Sequence, residues 1–267
     1  MVAEVKKIIA VASGKGGVGK STVAVNLALG MRAEGLDVGL LDADIYGPSV
    51  AMMLGVADGV RPESADGKRL MPVLVQGLKT MSMAYLVAAN TAMAWRGPMA
   101  AGALQQMLQH TNWGQLDVLL VDLPPGTGDI QLTLAQQTEV AGAVIVTTPQ
   151  DIALLDAQKG IEMFAKVKIP VLGIVENMAM HECSACGHNE AIFGSGGGAM
   201  LAQTYITELL GQLPLDAKVR IGGDGGQPIV LAAPESSSAV AYRDIARAVI
   251  AALAKNGVSS GPDIVFE

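Results

Sequence analysis

Three groups of residues in this chain have the types and spacing to do chemistry. The first is Gly14, Lys15, Gly16, Gly17, Val18, Gly19, Lys20 and Ser21, which fits the pattern G-x-x-x-x-G-K-[ST]. Glycines at those places let successive backbone N–H groups turn inward and wrap phosphate oxygens. A helix starting there adds the positive end of its dipole. Lys20 would reach the β- and γ-phosphates of a nucleotide, and Ser21 would offer magnesium a hydroxyl ligand. The competing reading is a glycine-rich turn with accidental spacing, and a chance match in a chain of this composition is on the order of one in a hundred. The second group is acidic: Asp42 and Asp44 in LLDADIYGPS, and Asp122 in LLVDLPPGTGD. A carboxylate at such a place can meet a magnesium-bound water or orient an attacking one, although an Asp at a strand end is often only a turn former or a helix cap. The third is the pair Cys183 and Cys186, the only cysteines present. In a cytosolic chain that spacing points to metal or redox work before a structural staple.

These residues need a frame. Residues 8–12 form a short continuous apolar run, as expected of a strand buried on both faces, and the glycine-rich loop follows it directly. Helical spacing of Val23, Leu27 and Met31 predicts a helix over 22–32. Further buried strands are expected at 38–41, 117–123, 143–147 and 171–175, with helices at 99–109, 132–137, 152–167 and 237–255. Strands alternating with helices predict an α/β fold: a single domain with a mostly parallel central sheet and helices on both faces, its ligands at the carboxyl ends of the strands. Residues 58–79, with Pro62 and Pro72, read as an excursion containing a hairpin. The cysteine pair reads as a loop between elements. One domain is expected over 1–256, with a loosely docked tail over 257–267.

Composition narrows the classes. A formal charge of −7 argues against a mainly electrostatic grip on nucleic acid or an anionic membrane. No apolar run approaches the ~20 residues that span a bilayer. The first residues lead straight into a strand without a signal-peptide core or an Arg-rich transit segment, so a cytoplasmic protein is expected. Only 3% of residues are aromatic against 51% hydrophobic, so the core must be aliphatic, and most of the 14 methionines read as core filler.

Beyond the spacing, SGKGGVGKST (residues 13–22, through Thr22) resembles the "deviant" Walker A signature of the MinD/ParA/nitrogenase-reductase superfamily. That resemblance implies a P-loop NTPase domain that binds and hydrolyses ATP as a homodimer. Lys15 would cross the interface to the partner's nucleotide and stabilise transition-state charge. It also implies that Asp44 positions the hydrolytic water, that Asp42 supports magnesium or the phosphate loop, that Asp122 is the Walker B aspartate, and that Asn177 recognises adenine. Within the superfamily, DLPPGTGDIQLTL, WRGPM, TTPQ, VENM, FGSGGG and LGQLPLD are similar to the Mrp/ApbC branch, the iron–sulfur carrier ATPases, over about residues 7–253. Many members of that branch carry a small domain ahead of the ATPase; with the first strand starting at residue 8, none is expected here.

The branch has its C-x-x-C where Cys183 and Cys186 stand, with Ser184 in place of a frequent proline. A four-iron four-sulfur cluster is usually held by four thiolates and one chain offers two, so the resemblance implies a cluster shared across a two-fold axis and passed to apo-protein acceptors. Other readings stay open at this stage. They are a two-iron cluster, a zinc site completed by His181 and His188, a positioning ATPase of the MinD/ParA kind without a cluster, and an electron-transferring reductase. For Arg96 a structural turn and an active-site contact are equally open.

Overall fold

The computed structural model describes residues 4–64, 67–86 and 97–256. Its elements, in order, are β1 (Val5–Ala12), α1 (Lys20–Ala33), β2 (Val38–Asp42), α2 (Val50–Met53), β3 (Val73–Val75), β4 (Leu78–Ser82), α3 (Gly97–Gln109), β5 (Leu116–Asp122) and α4 (Asp129–Gln137). There follow β6 (Gly142–Thr147), α5 (Asp151–Lys166), β7 (Val171–Glu182), β8 (Asn189–Glu190), α6 (Gly197–Thr204), β9 (Leu209–Pro214), α7 (Ala217–Asp224), α8 (Ile229–Ala232) and α9 (Ser237–Asn256). The described strands form one sheet in the order β3-β4-β2-β5-β1-β6-β7-β8, with β9 also paired to β7. All pairings are parallel except β3 with β4 and β7 with β8.

Alternation along the central strand explains the layers. Ile8, Ala10 and Ala12 face one core with Leu104 and Leu108 of α3, Leu134 of α4 and Phe164 of α5. Ile9 and Val11 face the other, with Leu27 and Met31 of α1 and Tyr242, Ile245 and Val249 of α9. Each face of the sheet is thus covered by helices, which is why its inner strands carry apolar residues at every position rather than every second one. The predicted α/β architecture with a parallel sheet is the one observed.

The expected hairpin lies in β3 and β4, whose turn places Gln76 at φ 50° and Gly77 at φ 76°, the left-handed pair a two-residue turn needs. The structure departs from expectation at the far side of the sheet. β7 continues past Val175 to Glu182, and β9 is a strand that the Gly211, Gln212 and Pro214 interruptions conceal. The cysteine pair is accordingly not a free loop between elements but the tip of a hairpin made by the end of β7 and by β8. Trp95, Arg96 and the tail at 257–267 lie outside the described residues.

Candidate nucleotide cavity and cysteine hairpin

The parallel strands end along one edge, and the chemistry collects there. β1 lies between β5 and β6, so its exit is the point where connections leave in opposite directions, the place where open α/β sheets bind ligands. A cavity of ≈ 450 Å³ opens there, lined by Lys15, Gly16, Gly17, Val18, Gly19, Lys20, Ser21 and Thr22. Gly17 and Gly19 have φ of 82° and 80°, a region that side chains disfavour, and Gly19 is the residue from which α1 starts. Gly14 is required for another reason: a Cβ there would overlap the backbone carbonyl of Asp156 in α5. The loop is therefore pressed onto α5 on one side and open to the cavity on the other.

Lys20 is buried and pairs with Asp122 at 2.5 Å, with its Nζ also 3.1 Å from the Ser21 hydroxyl. Asp122 and Asp42 are neighbours in register on β5 and β2, and both are fully buried. Burial raises the carboxyl of Asp42 to about 7, with the charge of Asp122 adding to the shift. Burial likewise pushes Asp122 upward, against the opposing pull of Lys20. Among the described residues one buried ammonium thus faces a pair of buried carboxylates.

The carboxylates differ in what they hold. Asp42 accepts the backbone N–H of Asp44 on one oxygen, and on the other the N–H groups of Ser49 and Val50 and the hydroxyl of Ser82. It shapes the 44–50 loop and caps α2, and these contacts go to neither the phosphate loop nor a metal. Asp44, held by that loop, lines the cavity, and its Oδ1 accepts the N–H of Gly47 at 3.3 Å. Asp122 keeps Oδ2 buried without a hydrogen-bond partner. An unpaired carboxylate oxygen beside the Ser21 hydroxyl fits a hydrated magnesium ion, whose waters donate to such oxygens. After Asp122 the chain turns at Gly126, whose N–H donates to Ser13 and whose carbonyl, with that of Pro124, is held by the buried Gln131 amide.

Apart from Asn177, the opposite wall was not foreseen residue by residue. It is made by Asn177 and Met178 together with Pro214, Leu215, Asp216, Val219 and Arg220. LGQLPLD was visible as a motif, but its contribution depends on β9 pairing with β7. Asn177 lies in this wall and donates its side-chain amide to the Val18 carbonyl at 2.9 Å, tying β7 to the phosphate loop. Its neighbour Glu176 is fully buried and accepts the Gly198 N–H at 2.6 Å and the Gln212 amide. A Cβ on Gly198 would lie 2.9 Å from that of Glu176, and one on Gly197 would overlap Leu154. Gly197 and Gly198, at the end of the FGSGGG stretch, are thus close-packed, whereas Gly196 has open space around it.

Beyond this wall β7 becomes a hairpin. Cys183 donates its N–H to His188 O at 2.9 Å and accepts the Gly187 N–H at 2.8 Å, with Gly187 at φ 72° closing the turn. The backbone N–H groups of Ala185 and then Cys186 point at the Cys183 sulfur, and with the Cys186 thiol they hold its pKa below the ordinary thiol value. The two cysteines are not joined in a disulfide, and Cys186 is exposed. No group of three or more His, Cys, Asp or Glu side chains among the described residues is arranged to hold a metal. The His181 ring is turned to the Leu215 carbonyl instead, at 3.1 Å.

Known proteins are similar to this chain over most of its length. A family profile described as "ParA: NUBPL iron-transfer P-loop NTPase" matches residues 4–250. The chain belongs to this family. Its relatives include the "Iron-sulfur cluster carrier protein" of Salmonella typhimurium, 60% identical over 98% of this chain and 71% of that protein. The mouse "Iron-sulfur cluster transfer protein NUBPL" is 49% identical over 92% of this chain and 77% of its own length. Among solved structures, a nucleotide-binding protein from Archaeoglobus fulgidus in complex with ADP superimposes with a TM-score of 0.73 at 42% identity, covering 84% of this chain and 87% of that one. The Pyrococcus furiosus cell-division ATPase MinD, at 23% identity and a TM-score of 0.70 over 92% and 99%, shares the fold of this NUBPL-type NTPase.

Proposed function

We propose that this NTPase hydrolyses ATP and carries iron–sulfur clusters: a cytoplasmic homodimer that takes a cluster between the cysteine pairs of two chains and delivers it to apo-proteins. The observation that supports this most is the hairpin. It presents two cysteines that, among the described residues, belong to no group of three or more metal-ligating side chains, and it grows from the strand that walls the nucleotide cavity. A four-iron cluster with thiolate ligands then needs a second chain.

Phosphates of ATP lie in the cradle from Gly14 to Thr22, with Lys20 on the β- and γ-phosphates. A magnesium ion would be held by the Ser21 hydroxyl with Asp122 beside it and Asp42 fixing the adjacent loop, and it would supply neutralisation of charge on the phosphate oxygens. Asp44 orients the attacking water. Lys15 reaches the partner's nucleotide, and Asn177 marks the adenine side. The unit responsible is residues 1–256, with 257–267 as a tail. No described helix is long and apolar enough to cross a membrane, and neither nucleic acid nor a membrane is a partner in this reading.

The test is transfer. Anaerobically reconstituted protein, mixed with an apo four-iron enzyme, should restore that enzyme's activity, and a Cys183→Ala protein treated identically should not. Equal activation by both would assign delivery to loose iron and sulfide and remove the carrier role.

A further inference from the structure

We propose that His181 is a positioning residue through which occupancy of the nucleotide cavity is read at the cysteine hairpin. This rests on the reading of the cavity as a nucleotide site.

β7 passes both places. At Asn177 it is bonded to Val18 of the phosphate loop, and at Glu182 it opens into the turn that carries Cys183. Between these points the strand is irregular. Its pairing with β9 shifts register between Glu176 and Met180, and Met178 stands at φ 57°, a conformation disfavoured for residues that carry a Cβ. Residues 177–180 are thus not locked by a continuous ladder, and their placement depends on what borders them.

What borders them is the cavity wall. Leu215, between Pro214 and Asp216 in that wall, donates its N–H to the Met180 carbonyl at 2.8 Å. Its own carbonyl lies 3.1 Å from Nδ1 of His181. A carbonyl only accepts, so Nδ1 carries the proton and the imidazole is held as one tautomer. Leu215 is therefore clamped at both backbone groups, to adjacent residues of β7. The next links are stiff: His181 pairs with Glu190 and Glu182 with Asn189, and Cys183 then bonds His188 and Gly187. A shift of the wall when nucleotide fills the cavity is carried to the hairpin base, because the alternative is to break these hydrogen bonds. Removing the imidazole leaves the Leu215 carbonyl without its donor and leaves one tie in place of a pair.

The chain's only cysteines report the coupling directly. Metal-free, reduced protein is labelled with N-ethylmaleimide at several protein concentrations, with and without saturating ADP and magnesium, while calorimetry follows ADP binding. In the wild type, ADP should change the labelling rate by about fivefold, independently of protein concentration. His181→Ala should lose most of that change while ADP affinity stays within about twofold, and His181→Asn, whose amide can still donate, should recover part of it. An unchanged wild-type rate, a full response in His181→Ala, or a response that scales with protein concentration (and so reports chain association) overturns the proposal. Absence of ADP binding in calorimetry would first remove the nucleotide reading, and the coupling with it.

Discussion

The nucleotide cavity and the cysteine hairpin share strand β7 but are built in opposite ways. The cavity is assembled from many segments that converge on one buried edge of the sheet, and its charges are desolvated and mutually dependent: Lys20, Asp42 and Asp122 are all buried. The hairpin comes from one short stretch, stands out from the sheet and is organised by its own backbone hydrogen bonds. A nucleotide's phosphates can be held by one chain, because the cradle, the lysine and the acidic residues all come from it. The hairpin supplies two cysteines. In the proposed reading, one chain therefore holds most of the nucleotide's contacts and Lys15 of a second completes them, whereas a four-thiolate cluster draws its ligands equally from two chains.

Substitutions should separate these regions. The largest effect is expected for Cys183→Ala, which should abolish cluster retention in iron and sulfide assays while ADP affinity by calorimetry stays within about twofold. Its counterpart, Lys20→Ala, should weaken nucleotide binding about 100-fold, as loss of a charge-assisted contact to phosphate does, and leave cluster loading intact. Loss of both properties in either variant would mean that the regions do not fold independently of each other's chemistry.

Stability sharpens the contrast further. Gly198→Ala should lower unfolding stability by about 1–3 kcal/mol in denaturant titration, since the new methyl group meets the side chain of buried Glu176. At Gly187, where φ is 72° and nothing crowds a Cβ, alanine should cost only about 1 kcal/mol, through the backbone alone. A separate effect is expected on pH dependence. Because the carboxyl of Asp42 is raised from 3.8 to about 7, the folded, nucleotide-free protein keeps a proton that the unfolded chain has released. Stability should therefore fall as pH rises through that interval. Asp42→Asn should flatten the slope in melts recorded across it.

How far the sequence reveals this depends on whether the interacting residues are neighbours in the chain. The phosphate loop was legible because its glycines, Lys20 and Ser21 are contiguous and follow an apolar strand. So were Asp42 and Asp122 as strand-end acids, and Cys183 and Cys186 as a pair. Asp42 was harder to read in detail: its hydrogen bonds go to Ser49, Val50 and Ser82, which no local pattern connects. The wall at Pro214 to Arg220 was not legible, because β9 is masked by Gly, Gln and Pro and gains its strand character from pairing with β7. Glu176, Gly198 and Gln212 each belonged to a visible motif, but the carboxylate that joins them appears only once β7, α6 and β9 are side by side. The tie between His181 and Leu215 was hidden for the same reason.

The most direct test counts ligands on one sample. After anaerobic reconstitution with iron and sulfide, iron, bound ADP and mass in solution are measured together. The account predicts a dimer with one nucleotide per chain and about four irons per pair of chains, with the thiolate-to-iron absorption of a cysteine-held cluster. A monomer that retains a full complement of metal with its nucleotide would contradict it, since one chain would then complete the site without a partner.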